Sequence, residues 1–214
     1  MHPRICRTVF TGGIGLILFA VGCTAFQVGS EIERGRMALI YGEPQRALAH
    51  FQRAAELQPN YRYNYSILNQ GVWTYVGRSH YDAGKLSEAR KALEKAHSLY
   101  RDDYLATLYL GLVLGRDGDR TRGLKEIEAG FKGLGDWLEY IDRYHVDGRF
   151  WDPGRQLSSE IEKNLKLISG REFSWPELIA SGEKLGKEFE KEIDFAKRDK
   201  YDQIDNDGDD GGMN

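Results

Sequence analysis

A recurrence with a period of 34 residues is the strongest constraint on how this chain can fold. Gly77 and Gly111 are 34 positions apart, and Gly84 and Gly118 repeat the same separation. Apolar residues recur at matching offsets around both pairs. A fixed period of this size indicates stacked supersecondary units, none of which can bury its apolar face alone. The sequence therefore predicts an array of repeats.

The repeated residues resemble the tetratricopeptide repeat, a unit of about 34 residues that reads W-x2-L-G-x2-Y, then A-x3-F and a final proline. Three copies cover about 28–61, 70–103 and 104–137, and an eight-residue insertion separates the first two. The alternative is an ordinary helical-hairpin protein whose small residues coincide. The residues that carry the resemblance are Gly35, Ala38, Gly42, Ala47, Phe51, Ala54 and Pro59; Trp73, Val76, Gly77, Ala89, Leu93 and Ala96; and Thr107, Leu110, Gly111, Leu114, Gly123, Ile127 and Gly130.

The resemblance implies an all-α fold, a right-handed superhelix of about three helix-turn-helix units over residues 31–137. No alternation typical of a β-strand is evident, which also favours helices. Residues 138–201 are expected to form a helical capping region, because repeat arrays need capped ends. Its last helix is predicted to begin after Ser174, with an apolar stripe and a solvated face that includes Glu188 and Glu192.

The amino-terminal 22 residues have the anatomy of an export signal. Arg4 and Arg7 precede an apolar run from Val9 to Val21. As a helix this run spans roughly 20 Å, less than the roughly 30 Å hydrocarbon core of a bilayer, which favours a removed signal over a transmembrane helix.

The end of this run, Ala20-Val21-Gly22-Cys23, resembles the lipobox of bacterial lipoproteins. The resemblance implies removal of 1–22, lipidation of Cys23, and a lipidated tether over 23–30. With Thr24 as the next residue, it further implies anchoring to the outer membrane, facing the periplasm. The alternative is an ordinary signal peptide cut near Ala20 or Gly22.

Composition and motif searches exclude several classes of function. The formal net charge of −3 argues against a nucleic-acid partner, which would require a basic surface. Two cysteines and five dispersed histidines predict no metal site, and the absence of known catalytic motifs predicts neither an enzyme nor a cofactor. Residues 202–214 are predicted to be a disordered acidic tail, although Asp205–Asp210 leave weak calcium binding open as an alternative.

The repeat resemblance also implies a groove lined by the first helix of each unit. Arg36, Arg78, Tyr81 and Arg116 fall at positions that commonly face this groove, and they suit a protein or peptide partner with acidic groups. The function expected is a membrane-anchored scaffold or assembly factor of the cell envelope.

Three alternatives to the scaffold remain open. One is an accessory component of a periplasmic transporter, and another is a repeat that only self-associates. The third is a small-ligand protein or enzyme that uses segment 137–173, with His145, Phe150 and Trp151 lining its pocket.

Overall fold

Eight α-helices and one β-hairpin make up most of the chain in a computed structural model, which describes residues 14–65 and 68–209 and side chains within 24–65 and 68–204. In chain order the elements are α1 (Ile14–Ile40), α2 (Pro44–Leu57), β1 (Arg62–Tyr65), β2 (Leu68–Gly71), α3 (Val72–Asp82), α4 (Leu86–Leu99), α5 (Tyr104–Arg116), α6 (Arg120–Tyr144), a 3-10 turn (Gly148–Phe150), α7 (Gln156–Gly170) and α8 (Trp175–Asp209). The predominantly helical prediction is confirmed.

The first six helices form three consecutive pairs, α1–α2, α3–α4 and α5–α6, each with extensive contacts between its two members. The turns within the pairs contain Gly42, Gly84 and Gly118, which have φ values of +73°, +73° and +97°. Residues that carry a side chain rarely adopt this left-handed backbone conformation, which explains why glycine recurs at these turns.

The glycines within the first helices allow each pair to cross closely. A Cβ atom on Gly77 would lie 2.5 Å from Leu93 Cγ, and one on Gly111 would lie 2.5 Å from the backbone nitrogen of Ile127. Both separations are shorter than the contact distance between a side-chain carbon and another heavy atom, so only glycine fits at these crossings. The glycines therefore recur in the sequence with the spacing of the helix crossings.

The insertion between the first two pairs folds as a small antiparallel hairpin, which the absence of alternation in the sequence did not indicate. Arg62 pairs with Gly71 and Tyr65 with Leu68, while the Tyr63 side chain is buried. Strands of four residues are too short to display a clear alternation in sequence, although tyrosine favours them.

The predicted helical region over 138–201 contains helices, with boundaries that differ from the prediction. Helix α6 continues through the predicted end of the repeats at 137 as far as Tyr144. Ser174 caps α8 as expected, since its hydroxyl accepts from the Glu177 amide at 3.4 Å and donates to the Glu177 carboxylate at 2.6 Å. Helix α8 extends to Asp209, so the helix includes residues 202–209 of the predicted tail.

Several predictions concern residues outside those described. Residues 1–13 and 210–214 lie beyond the described ranges, as do the side chains of Cys23 and Asp205–Asp210. The backbone of α1 passes through the predicted cleavage point before Cys23. Within residues 14–65 and 68–209, no helix combines the length and apolar character needed to cross a bilayer.

Candidate functional site

The face predicted to bind a partner is formed by the first helix of each pair. Arg36 lies in α1, Arg78 and Tyr81 lie in α3, and Arg116 is the last residue of α5. Helix α8 packs against this face and contacts both α1 and α5. The arginines therefore face a helix of their own chain.

Arg36 is fully buried, with a relative exposure of 0%, and its guanidinium donates to two acidic residues of α8. The Nε atom lies 2.8 Å from Glu190 Oε2, and Nη2 lies 3.1 Å from Asp194 Oδ1. Nη2 also donates to the backbone carbonyl of Glu190 at 3.0 Å, and Nη1 donates to Glu33 at 2.7 Å. Together with the Tyr63 hydroxyl, which accepts from Nη1 at 3.4 Å, these groups give five acceptors that fix the orientation of this side chain.

Arg78 has a relative exposure of 2% and binds the other oxygen of the same carboxylate. Its Nη2 atom donates to the Gly186 carbonyl at 3.1 Å, and its guanidinium lies 4.8 Å from the centre of the Tyr109 ring. Glu190 is therefore held between two buried guanidinium groups.

The electrostatics of Glu190 follow from this arrangement. Burial by itself raises the pKa of a carboxyl group, because it disfavours the charged form. The charges and hydrogen bonds of Arg78 and Arg36 outweigh burial, so the pKa of Glu190 is lowered from its ordinary value of 4.5. The cluster is therefore an ionised Arg–Glu–Arg triad inside the protein.

A second acidic residue of α8, Glu183, binds the remaining two predicted residues. The Tyr81 hydroxyl donates to Glu183 Oε1 at 2.6 Å, and Arg116 Nη2 lies 2.9 Å from the same oxygen. Burial and the neighbouring Glu183 raise the pKa of Tyr81, so the phenol remains a donor. Arg116 also lies over the Tyr81 ring, 4.7 Å from its centre.

The β-hairpin contributes to the same interface. Lys197 of α8 donates to Glu33 at 2.8 Å and to the Tyr63 hydroxyl at 2.5 Å, and that hydroxyl donates to Glu33 at 3.0 Å. The insertion in the sequence thus supplies a tyrosine that joins α1 to α8.

These contacts correct the expectation that Arg36, Arg78 and Tyr81 are available to an external partner. On α8, Leu178, Leu185, Phe189 and Ile193 are all buried. Burying four such side chains stabilises the packed helix by roughly 6–12 kcal/mol, comparable with the whole stability of a typical domain. Helix α8 is therefore part of the core, and only Arg116 remains partly exposed.

Sequence reasoning missed the charged residues of α8 that complete this interface. Glu183, Glu190, Asp194 and Lys197 are separated by seven, four and three positions, which places them on one helix face. Two glycines at a four-residue spacing, Gly182 and Gly186, allow this face to approach α5. The spacing of the charged residues on one helix face was the available signal. By itself, however, that spacing is equally typical of a helix face exposed to solvent.

The alternative segment 137–173 contains a cleft of about 660 Å³ between α6 and α7. Trp151 lies in its wall, but the other two predicted residues point to different surroundings. His145 Nδ1 accepts from the Asp147 amide at 3.2 Å, and Phe150 lies beneath the guanidinium of Arg149 at 4.8 Å. The three residues therefore do not converge on one site.

Within the described part of the chain, no group of three or more histidine, cysteine or acidic side chains is arranged to hold a metal ion.

Comparisons with known proteins found no matching family model, no matching curated protein and no matching solved structure.

Proposed function

We propose that this chain is a lipid-anchored scaffold of the bacterial cell envelope, with tetratricopeptide-type helix pairs that stack as a right-handed superhelix. It would bind a protein partner without catalysing a reaction, while lipid on Cys23 fixes it to the outer membrane on the periplasmic side. The lipobox-like sequence before Cys23 and the three helix pairs with matched glycine crossings support this proposal.

The observation that carries the proposal is an open cleft that α8 does not line. The cleft lies between the second half of α6 and α7 and has a volume of about 660 Å³. Its apolar wall consists of Leu138, Trp151, Ile161 and Leu165. Leu138, Trp151 and Ile161 are at most 4% exposed, and most of the remaining lining is charged, so the cleft offers a small apolar patch suited to an anchoring side chain of a helix or an extended peptide.

Charged residues of both signs surround the apolar wall. On α6, Lys132 pairs with Asp136 at 2.7 Å and Arg143 with Glu139 at 2.6 Å. These four side chains are exposed, so a partner can exchange pairs with them at little cost. We therefore expect a partner segment with apolar anchors and charges of both signs.

Site-specific photocrosslinking in cells tests where the partner binds. A photoreactive amino acid at Glu139 or Glu162, on the two sides of the cleft, should give the same discrete crosslinked protein. The matched control is Gln45, which is exposed on α2. The same products from all three positions, or none from the cleft, would argue against this surface.

Lipid attachment is tested separately by the mass of the mature protein. The native chain should carry acyl chains on Cys23, and Cys23→Ser should remain unprocessed or lose its membrane association. An unmodified Cys23 in the mature native protein would refute the anchor but not the cleft.

Binding of a small ligand is a second candidate function for the same cleft. Its volume lies within the range of about 300–1,000 Å³ that ligand sites occupy. Native mass spectrometry of the purified protein distinguishes the two candidates, because a retained metabolite of defined mass favours the small ligand.

A further inference from the structure

Helices α1 and α8 run antiparallel and place exposed apolar side chains at the same end of the molecule. Glu33 and Lys197 pair across the two helices at 2.8 Å. Phe26 lies seven residues before Glu33, and Ile204 lies seven residues after Lys197. At about 1.5 Å per residue, each lies about 10 Å of helix beyond the ion pair, towards the amino terminus of α1 and the carboxyl terminus of α8 respectively.

The end of α6 and the loop that follows it reach the same region. Lys200 of α8 donates to Asp147 at 2.9 Å, which places Val146 and Tyr144 beside the stretch of α8 that contains Tyr201. We call Phe26, Tyr144, Val146, Tyr201 and Ile204 the apolar end. Their exposures are 80%, 68%, 78%, 67% and 56%, and they are five of the nine exposed large apolar side chains among the described residues.

A concentration of exposed apolar residues on a folded domain indicates a contact with a protein or a membrane. Two features of the apolar end favour a membrane. Three of its five residues are aromatic, and tyrosine in particular is enriched where proteins meet the bilayer–water interface. The end also continues along α1 to Cys23, which lies three residues, or about 4.5 Å of helix, before Phe26.

The charges around the apolar end are mixed. Arg143, Arg198 and Lys200 are close in sequence to the exposed apolar residues, and so are Asp142, Asp199 and Asp202. The sequence beyond the described side chains adds further aspartates. A bilayer contact here therefore depends on apolar side chains and not on attraction to anionic lipid.

We infer that the apolar end is a bilayer-contact surface that fixes the orientation of the protein on the membrane. The inference rests on the proposed lipid at Cys23, since that lipid brings Phe26 to the bilayer. The bilayer interface then also contacts Tyr144, Val146, Tyr201 and Ile204. The lipidated protein therefore has a fixed orientation, with the apolar end towards the membrane, and does not rotate freely about a flexible tether.

Fluorescence quenching of the lipidated full-length protein in vesicles tests this orientation. The protein is reconstituted in phosphatidylcholine vesicles that contain a nitroxide-labelled phosphatidylcholine. An environment-sensitive fluorophore is attached to Ile204→Cys or Tyr144→Cys. The matched control is Tyr41→Cys, which is also exposed but follows the opposite end of α1, fifteen residues from Phe26.

We expect the lipid nitroxide to quench the label at positions 204 and 144 at least about twofold more than at position 41, because interfacial side chains lie roughly 5–10 Å into the headgroup boundary. Tyr201→Ser in the chain labelled at position 204 should reduce that quenching while the circular dichroism spectrum stays unchanged. Equal quenching at all three positions would overturn the inference.

The same samples separate this inference from the proposed anchor. A lipidated Cys23 in a processed chain cannot be labelled, so each protein carries one fluorophore, whereas an unmodified Cys23 adds a second and an uncleaved chain adds a third at Cys6. One fluorophore with equal quenching refutes the bilayer-contact surface but leaves the lipid anchor intact. Two or three fluorophores per chain refute the anchor, and the inference falls with it.

Discussion

Replacing Glu190 by alanine removes the carboxylate that lies between two buried arginines. Arg36 and Arg78 have relative exposures of 0% and 2%, and Glu190 itself is 1% exposed. No solvent screens these charges, so the variant leaves both guanidinium groups desolvated without their shared acceptor. Breaking a buried ion pair from one side costs about 3–5 kcal/mol.

Glu188→Ala provides the matched control on the same helix. Glu188 pairs with Lys191 at 3.0 Å, with side-chain exposures of 40% and 44%. Exposed pairs contribute about 0–1 kcal/mol. Urea denaturation of a soluble form that lacks residues 1–23 should therefore show a midpoint about 1–2.5 M lower for Glu190→Ala than for Glu188→Ala, if the slope is about 2 kcal/mol/M.

The refuting result is a free energy of unfolding for Glu190→Ala that lies within about 0.5 kcal/mol of the Glu188→Ala value. A further variant identifies the source of the loss. Replacing Arg36 and Arg78 by methionine and Glu190 by leucine removes all three charges together. Apolar replacement of a buried ion cluster is often neutral or stabilising, so this triple variant should recover most of the lost stability.

Three further expectations concern packing, pH and the carboxyl terminus. Gly111→Leu should destabilise the fold by at least about 1–3 kcal/mol, because its side chain would meet the backbone of Ile127. Gly29→Ala should not destabilise, because its Cβ would meet only the Tyr61 hydroxyl, at an ordinary 3.9 Å; thermal denaturation compares the two. The lowered pKa of Glu190 means that its stabilisation is complete above its ordinary value of 4.5 and is lost as the pH falls through the folded value. The stability difference between the native chain and Glu190→Gln should therefore shrink on acidification, and a constant difference in urea titrations at neutral and acidic pH would contradict this. Deleting 203–214 should leave the melting temperature unchanged because Ile204 is exposed, and calcium should not raise it; a calcium-dependent rise in the full chain alone would restore the metal-loop alternative.

Sequence alone located features that depend on local requirements. The turns at Gly84 and Gly118 need a left-handed backbone, and the crossings at Gly77 and Gly111 need the absence of a side chain. Each requirement restricts the residue at one position, so the positions are visible as a period. Ser174 was likewise recognised from the residues that immediately follow it.

Features that depend on which residues face each other across two packed helices could not be predicted in the same way. Glu183 and Glu190 resemble any exposed acids of a charged helix until Arg78 and Tyr81 are known to face them. The burial of the predicted binding residues could not be predicted for the same reason, because tertiary packing decides which face of α8 turns towards α1, α3 and α5. The hairpin at 62–71 was missed because its strands pair with each other in only four positions.

The ion pairs that join α1 to α8 connect distant parts of the 214-residue chain, since Arg36 and Glu190 are 154 residues apart. Contacts of such high sequence separation slow folding, because the loop between them must close before they form. The helix pairs can assemble during chain synthesis, but the arginine-bearing face stays open until the last helix arrives. A chain interrupted before residue 183 would lack every acidic partner on α8 and expose that face to proteases and chaperones. The buried arginine cluster is therefore completed only after α8 has been synthesised, even if the three helix pairs form earlier.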